Sequence, residues 1–105
     1  MLNYYKNNPE KLINTKGRLV GVSFARRKST THAIKIEING KTTMLGLSPT
    51  MDFDEQYEKA VNKVLEFLEI DVSDDLKKLL LKTKYQFLKD FNIGFKRITI
   101  IDFGD

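Results

Sequence analysis

The chain has 105 residues, 41% of them hydrophobic and 30% charged, a mixture that suits one globular domain and is too apolar for a disordered chain. It contains no cysteine, which excludes a disulfide or zinc-thiolate scaffold. Its longest apolar runs, near residues 64–70 and 98–101, fall far short of the roughly 20 residues that a membrane-spanning helix requires. The opening MLNYYKNNPEK has no apolar h-region of a signal peptide, so a cytoplasmic protein with no membrane partner is expected. The formal charge of +4 is unevenly distributed. Residues 1–51 carry nine Lys or Arg against two acids, and residues 52–105 carry nine against twelve, or +7 and −3. A basic first half is what a polyanion-binding surface needs, although a solvated basic face has the same composition.

In chain order, residues 1–15 show no clear period and read as an arm, with one helical turn at Pro9 to Ile13. From Arg18 apolar residues alternate, with Val20, Val22 and Phe24 on one side, which predicts a strand of about seven residues. The polar run 26–30 interrupts it, and His32, Ile34, Ile36 and Ile38 then mark the inward face of a second strand. Asn39-Gly40 is the dipeptide of a type I′ turn, so Lys41 to Leu47 should return antiparallel as a third strand. After Pro49 the period becomes 3.6. Asp52 and Glu55 have capping-box spacing, and Phe53, Tyr57, Val61, Val64, Leu65 and Leu68 form the apolar stripe of a helix covering the sheet. Ser73 opens a second helix, with Leu76, Leu79, Leu80, Thr83, Phe87 and Phe91 inward, ending near 92–94. Phe95 to Phe103 alternates again and predicts a C-terminal strand. The expected fold is α+β: a three-stranded antiparallel sheet packed on a helix, then a second helix and a strand. Its boundaries are an arm over 1–15 and a single domain over 16–105, divided into a core at 16–70 and an extension at 71–105.

Catalysis finds little machinery. His32 is the only histidine and lies on the inward alternation, where a core role is expected. No nucleophile has elbow or triad spacing, and the glycines form no phosphate-binding loop. Asp52, Asp54 and Glu55, like Asp71, Asp74 and Asp75, stand at helix starts, where acids act as caps rather than metal ligands. The chain is therefore expected to be no enzyme and to need no metal or cofactor. Nucleic-acid binding suits the residues better, because a sheet can enter a major groove and phosphates attract clustered cations. Lys16, Arg18, Arg26, Arg27, Lys28, Lys35 and Lys41 all fall on the expected sheet or its turns. Arg26, Arg27 and Lys28 at a hairpin tip would clamp backbone phosphates, while outward Ser23, Lys35, Glu37, Thr42 and Met44 would face the bases. A basic hairpin also protects sheet edges and aids solubility without any DNA.

GVSFARRK, then AIKIEINGK, then MLG and a long amphipathic helix, resembles the Apetala-two-type DNA-binding domain of plant ethylene-response factors and phage homing endonucleases. A related three-strand-plus-helix module precedes some mobile-element integrases. The resemblance spans residues 17–70 and implies a sheet lying in the major groove with a helix behind it. Gly21 and Val22 match the Gly-Val of its first strand, Asn39, Gly40 and Lys41 its phage-type turn, and Leu45-Gly46 the end of its third strand. The arginines flanking Gly-Val are here Val20 and Ser23, the second-strand tryptophan is replaced by His32, and the third-strand tryptophan by Met44. The scaffold residues are kept and the base-reading ones depleted, which leaves Lys35 and the tip to hold phosphates.

Two functions follow as expectations. The first is a small DNA-binding protein of phage or mobile-element origin; the 35 residues after Ile70 are too few for a nuclease or recombinase domain, so it would regulate or occlude rather than cut. The second is a phage-type inhibitor or adaptor that turns the same scaffold on a host protein. On the second helix, Leu81, Tyr85 and Leu88 would form either a homodimer seam or a second buried face.

Overall fold

Period-two apolar spacing becomes a three-stranded antiparallel sheet in the computed structural model, which describes residues 2–26, 32–47 and 52–90. The strands are β1 (Val22–Arg26), β2 (His32–Ile38) and β3 (Lys41–Leu47), in the order β1-β2-β3. Val22 pairs with Ile36 and Phe24 with Ile34; across the other edge of β2, Ile34 pairs with Leu45 and Ile38 with Lys41. Asn39 and Gly40 both take positive φ, +56° and +73°, as a type I′ turn demands. Asn39 Nδ2 also donates to the Phe67 carbonyl at 3.0 Å, which fastens the turn to the helix behind the sheet.

That helix is α2 (Phe53–Leu68), and it begins as its sequence predicts. The Asp52 carboxylate accepts from the backbone N–H groups of Asp54 and Glu55, satisfying two of the amides that a helix start leaves unpaired. Phe53, Tyr57, Ala60, Val61, Val64 and Leu68 are buried, with Ile34, Ile36 and Ile38 of β2 in the same core. Leu65, assigned to the same stripe, is partly buried. The α+β architecture is therefore as expected: a sheet with one face under a helix.

Three expectations require correction. The first strand begins at Val22 rather than Arg18. Leu19 instead forms an isolated antiparallel bridge with Ile13, and the chain turns through Val20 and Gly21, with Val22 N–H donating to the Leu19 carbonyl at 3.3 Å. Gly21 has φ +84°, and a Cβ there would lie 3.0 Å from Ile38 Cβ and 3.2 Å from the Glu37 carbonyl, so the turn requires glycine. Hydropathy alternation runs straight through this turn because it registers side chains and not φ.

The second correction concerns the N-terminal arm. The helical turn expected from Pro9 is present as a 3₁₀ turn over Pro9–Leu12, but Leu2–Asn7 also form a helix, α1, and Leu12 is fully buried in the main core. Asn14 shapes the next few residues, its Oδ1 accepting from Lys16 and Arg18 N–H at 2.9 and 3.0 Å in the manner of an Asx turn. The Leu12 carbonyl accepts from Val20 N–H at 2.8 Å, so this segment belongs to the domain.

The third correction divides the second helix into α3 (Asp74–Lys82) and α4 (Lys84–Asp90) at Thr83. Ser73 caps α3 as expected, its Oγ accepting from Leu76 N–H at 3.2 Å. Thr83 has a buried hydroxyl that donates to the Leu80 carbonyl and accepts from the Tyr57 hydroxyl at 2.6 Å. A threonine bonded back to an earlier carbonyl tightens the local turn, and the Thr83 N–H bonds the same carbonyl. Within this pair of helices Leu80, Phe87 and Leu88 are buried and Leu81 is partly buried, whereas Leu79, expected inward, is 50% exposed. The predicted C-terminal strand and Phe91 lie outside the described residues.

Burial pushes the Tyr57 phenol up from 10.0 to about 12. The folded state thus holds this proton more tightly than the unfolded chain. Its stabilising effect is complete below pH 10 and is lost as pH rises through about 12. The difference in stability between the native chain and Tyr57→Phe should therefore shift against the native chain over that interval, as urea unfolding followed at a series of alkaline pH values would measure.

Candidate nucleic-acid interface

Because side chains alternate along a strand, burial of Ile34, Ile36 and Ile38 under α2 places Ala33, Lys35 and Glu37 on the opposite, outer face of the sheet. The register then fixes their neighbours. Ser23, Lys35 and Met44 form one cross-strand row, Ala25, Ala33 and Gly46 the next toward the β1–β2 connection, and Glu37 with Thr42 the next in the other direction. Ser23, Glu37, Thr42, Met44 and Gly46 are exposed and Lys35 is half-buried. Ala33, in the centre of its row, is fully buried. Lys35 Nζ lies 3.6 Å from Glu37 Oε1, and since both side chains are solvated the pair is weak and easily exchanged for another partner.

The sequence-selected cations do not all gather on this face. Ser23 and Lys35 are direct cross-strand partners there. Arg26 pairs with His32 at the end of the ladder, and Arg27 and Lys28 lie outside the described residues. Lys16 is exposed in the Asx turn that precedes Leu19. Arg18 is engaged by α4: its Nε donates to Asp90 Oδ2, while Gln86 Nε2 donates to Asp90 Oδ1 at 2.8 Å. The hydrogen bond from Arg18 is the main reason that the Asp90 carboxyl sits below the usual carboxylate range. Lys41 pairs with inward Ile38, and its Nζ is 5.9 Å from the centroid of the Phe67 ring on α2, on the helical side. Alternation locates Ser23 and Lys35 correctly; it has no means of detecting the long-range partners that occupy Arg18 and Lys41.

His32 also takes its inward register, opposite Leu47, with its ring centroid 5.2 Å from that of Phe24. Its Nδ1 is buried and without a hydrogen-bond partner among the described residues. Beside the Arg18–Asp90 pair lies a mainly apolar cleft of about 90 Å³, lined by Arg18, Leu19, Val22, Ser23, Phe87 and Asp90. Among the described residues there is no group of three His, Cys, Asp or Glu placed to hold a metal ion, and no helix is long and apolar enough to cross a membrane.

Summed charge conceals a second group of cations. Lys78, Lys82 and Lys89 are exposed on α3 and α4, and none makes an ion pair among the described residues. By contrast Lys77 is 3.8 Å from Glu58 and Lys84 is 2.8 Å from Asp54. The acids that make residues 52–105 net negative lie largely on α2 and at the helix starts, which is why the sum misses this stripe. Compared with protein-family models, curated proteins and solved structures, the chain matches none.

Proposed function

We propose that this chain is a non-catalytic DNA-binding protein that lays the outer face of its sheet on duplex DNA, with the 26–28 tip on the phosphate backbone, to occlude or regulate the site it covers. The observation that carries the reading is the row Ser23, Lys35 and Met44 on a sheet whose other face is closed by α2. Such a sheet leaves one broad face for a groove, while the helix supplies rigidity from behind. The resemblance of residues 17–70 to the Apetala-two-type domain supports the same docking, as does the +7 charge of residues 1–51. A phage or mobile-element origin is what that resemblance suggests. The depleted base-reading positions favour binding driven by phosphate contacts, with weak sequence preference and strong salt dependence.

Titration of the protein into labelled random-sequence duplex, followed by fluorescence anisotropy at about 50 and 200 mM salt, tests this. Arg26→Ala, Arg27→Ala and Lys28→Ala together should weaken binding at low salt and reduce the salt slope by about three, one for each phosphate no longer neutralised. Glu37→Gln should strengthen binding, because it removes an anion from the face and releases Lys35. Salt-insensitive binding, or an unchanged slope in the triple variant, would remove the tip from the interface. No binding at low salt would move the reading to a protein partner.

A further inference from the structure

Helical geometry sets Lys78, Lys82, Tyr85 and Lys89 within about 60° of one another around a common axis, at 100° per residue. Of the buried residues of the same two helices, Leu80, Thr83 and Phe87 point the other way, and Leu88 lies to one side, about 90° from the centre of the stripe. The break at Thr83 preserves this alignment, because Thr83 itself has right-handed helical φ and ψ of −63° and −13° and the Phe87 N–H still bonds its carbonyl. Phe87 sits against Phe24 on the inner face of the sheet, with ring centroids 6.5 Å apart, so the lysine stripe faces away from the sheet. The lysine stripe is therefore a surface separate from the outer row with Lys35, although α4 comes alongside the β1 edge, where Phe87 and Asp90 share a cleft with Ser23.

We propose that the Lys78, Lys82 and Lys89 stripe is a second duplex-DNA contact, so that one molecule bridges two segments of duplex. This inference rests on the reading of the sheet as a DNA-binding face. Charge complementarity identifies the occupant. The stripe runs about 16 Å from Lys78 to Lys89 at 1.5 Å per residue. A duplex presents one negative charge per about 1.7 Å of axis, an array dense enough to meet these lysines at any register. Acidic Asp74 and Asp75, both exposed, lie at the N-terminal end of the stripe and limit it there. A membrane surface suits the helices less well: Leu80, Phe87 and Leu88 are committed to the core, and only Leu79 and Tyr85 would remain to enter the lipid boundary. A protein partner also fits poorly, since interface centres are depleted in lysine.

The experiment mixes two short duplexes, one carrying a donor dye and one an acceptor, with the full chain at about 50 mM salt. Energy transfer reports bridging, and anisotropy of one duplex alone reports binding. The native chain is expected to bridge. Lys78→Gln, Lys82→Gln and Lys89→Gln together should lower bridging about tenfold while single-duplex binding stays within about threefold; the corresponding three Lys→Arg changes should keep bridging. All three lysines are exposed, so unchanged thermal melting verifies that the variants are folded. A native chain that binds one duplex and captures no second, or a Gln variant that bridges as well as the native chain, overturns the second contact and leaves the sheet reading intact. Lysine-dependent sedimentation with anionic phospholipid vesicles in place of bridging also overturns it. A native chain that binds neither duplex overturns both readings.

Discussion

Phe87→Ala should lower the free energy of unfolding by about 3–5 kcal/mol, the range for truncating a buried aromatic. The ring is 5% exposed and touches three others: its centroid is 6.1 Å from Phe53, 5.6 Å from Tyr57 and 6.5 Å from Phe24. Those partners come from α2 and β1, so Phe87 fastens α4 to both the helix and the sheet. Truncation would leave a void among rings held by separate elements, where little collapse can fill it. A domain of this size is stable by about 5–15 kcal/mol, so the loss would be a large share of the total. Urea unfolding should show a lower midpoint with an unchanged slope. Tyr85→Ala, two residues earlier on the exposed side, should change stability by no more than about 1 kcal/mol, the scale of the contact its ring makes with Lys84 Nζ at 5.2 Å. Equal effects from the two substitutions would mean that α4 does not dock as described.

Leu12→Ala should cost about 2–5 kcal/mol, although it lies in a segment whose sequence shows no periodicity. Leu12 is fully buried in the main core, and its carbonyl receives Val20 N–H. Loss of the side chain would open the core and also loosen the turn that positions Gly21, whose carbonyl accepts from Glu37 N–H at 2.8 Å and extends the β1–β2 ladder. Denaturation should therefore remain a single transition with its midpoint lowered, because the N-terminal segment and the sheet unfold together. A free arm would behave otherwise: the substitution would leave the midpoint where it was.

These two expectations show where sequence reading stops. The hairpin at Asn39-Gly40, the Asp52 and Ser73 caps and the buried stripe of α2 were all legible, since each depends on residues a few positions apart. Leu12 was not legible, because one apolar residue in a polar segment has no period and its burial depends on α2 and the sheet meeting it. Thr83 read as one more position on an apolar face; its hydroxyl breaks the helix by bonding Leu80 locally and receiving Tyr57 from a different element. On the candidate interface, alternation sufficed for Ser23 and Lys35, which need only the correct strand face.

Sequence alone determined the α+β class, the order of the three strands and of α2 after them, and the outer placement of the row through Lys35, because these follow from side-chain period, turn chemistry and capping. Tertiary structure alone decided which cations remain available. Arg18 is tied to Asp90, 72 residues away, and Lys41 rests over Phe67, while Lys78, Lys82 and Lys89 are exposed on α3 and α4 and make no ion pair among the described residues. The physical reason is that composition records the number of charges, whereas a charge's availability depends on which opposite charge or ring the fold brings within a few ångströms of it.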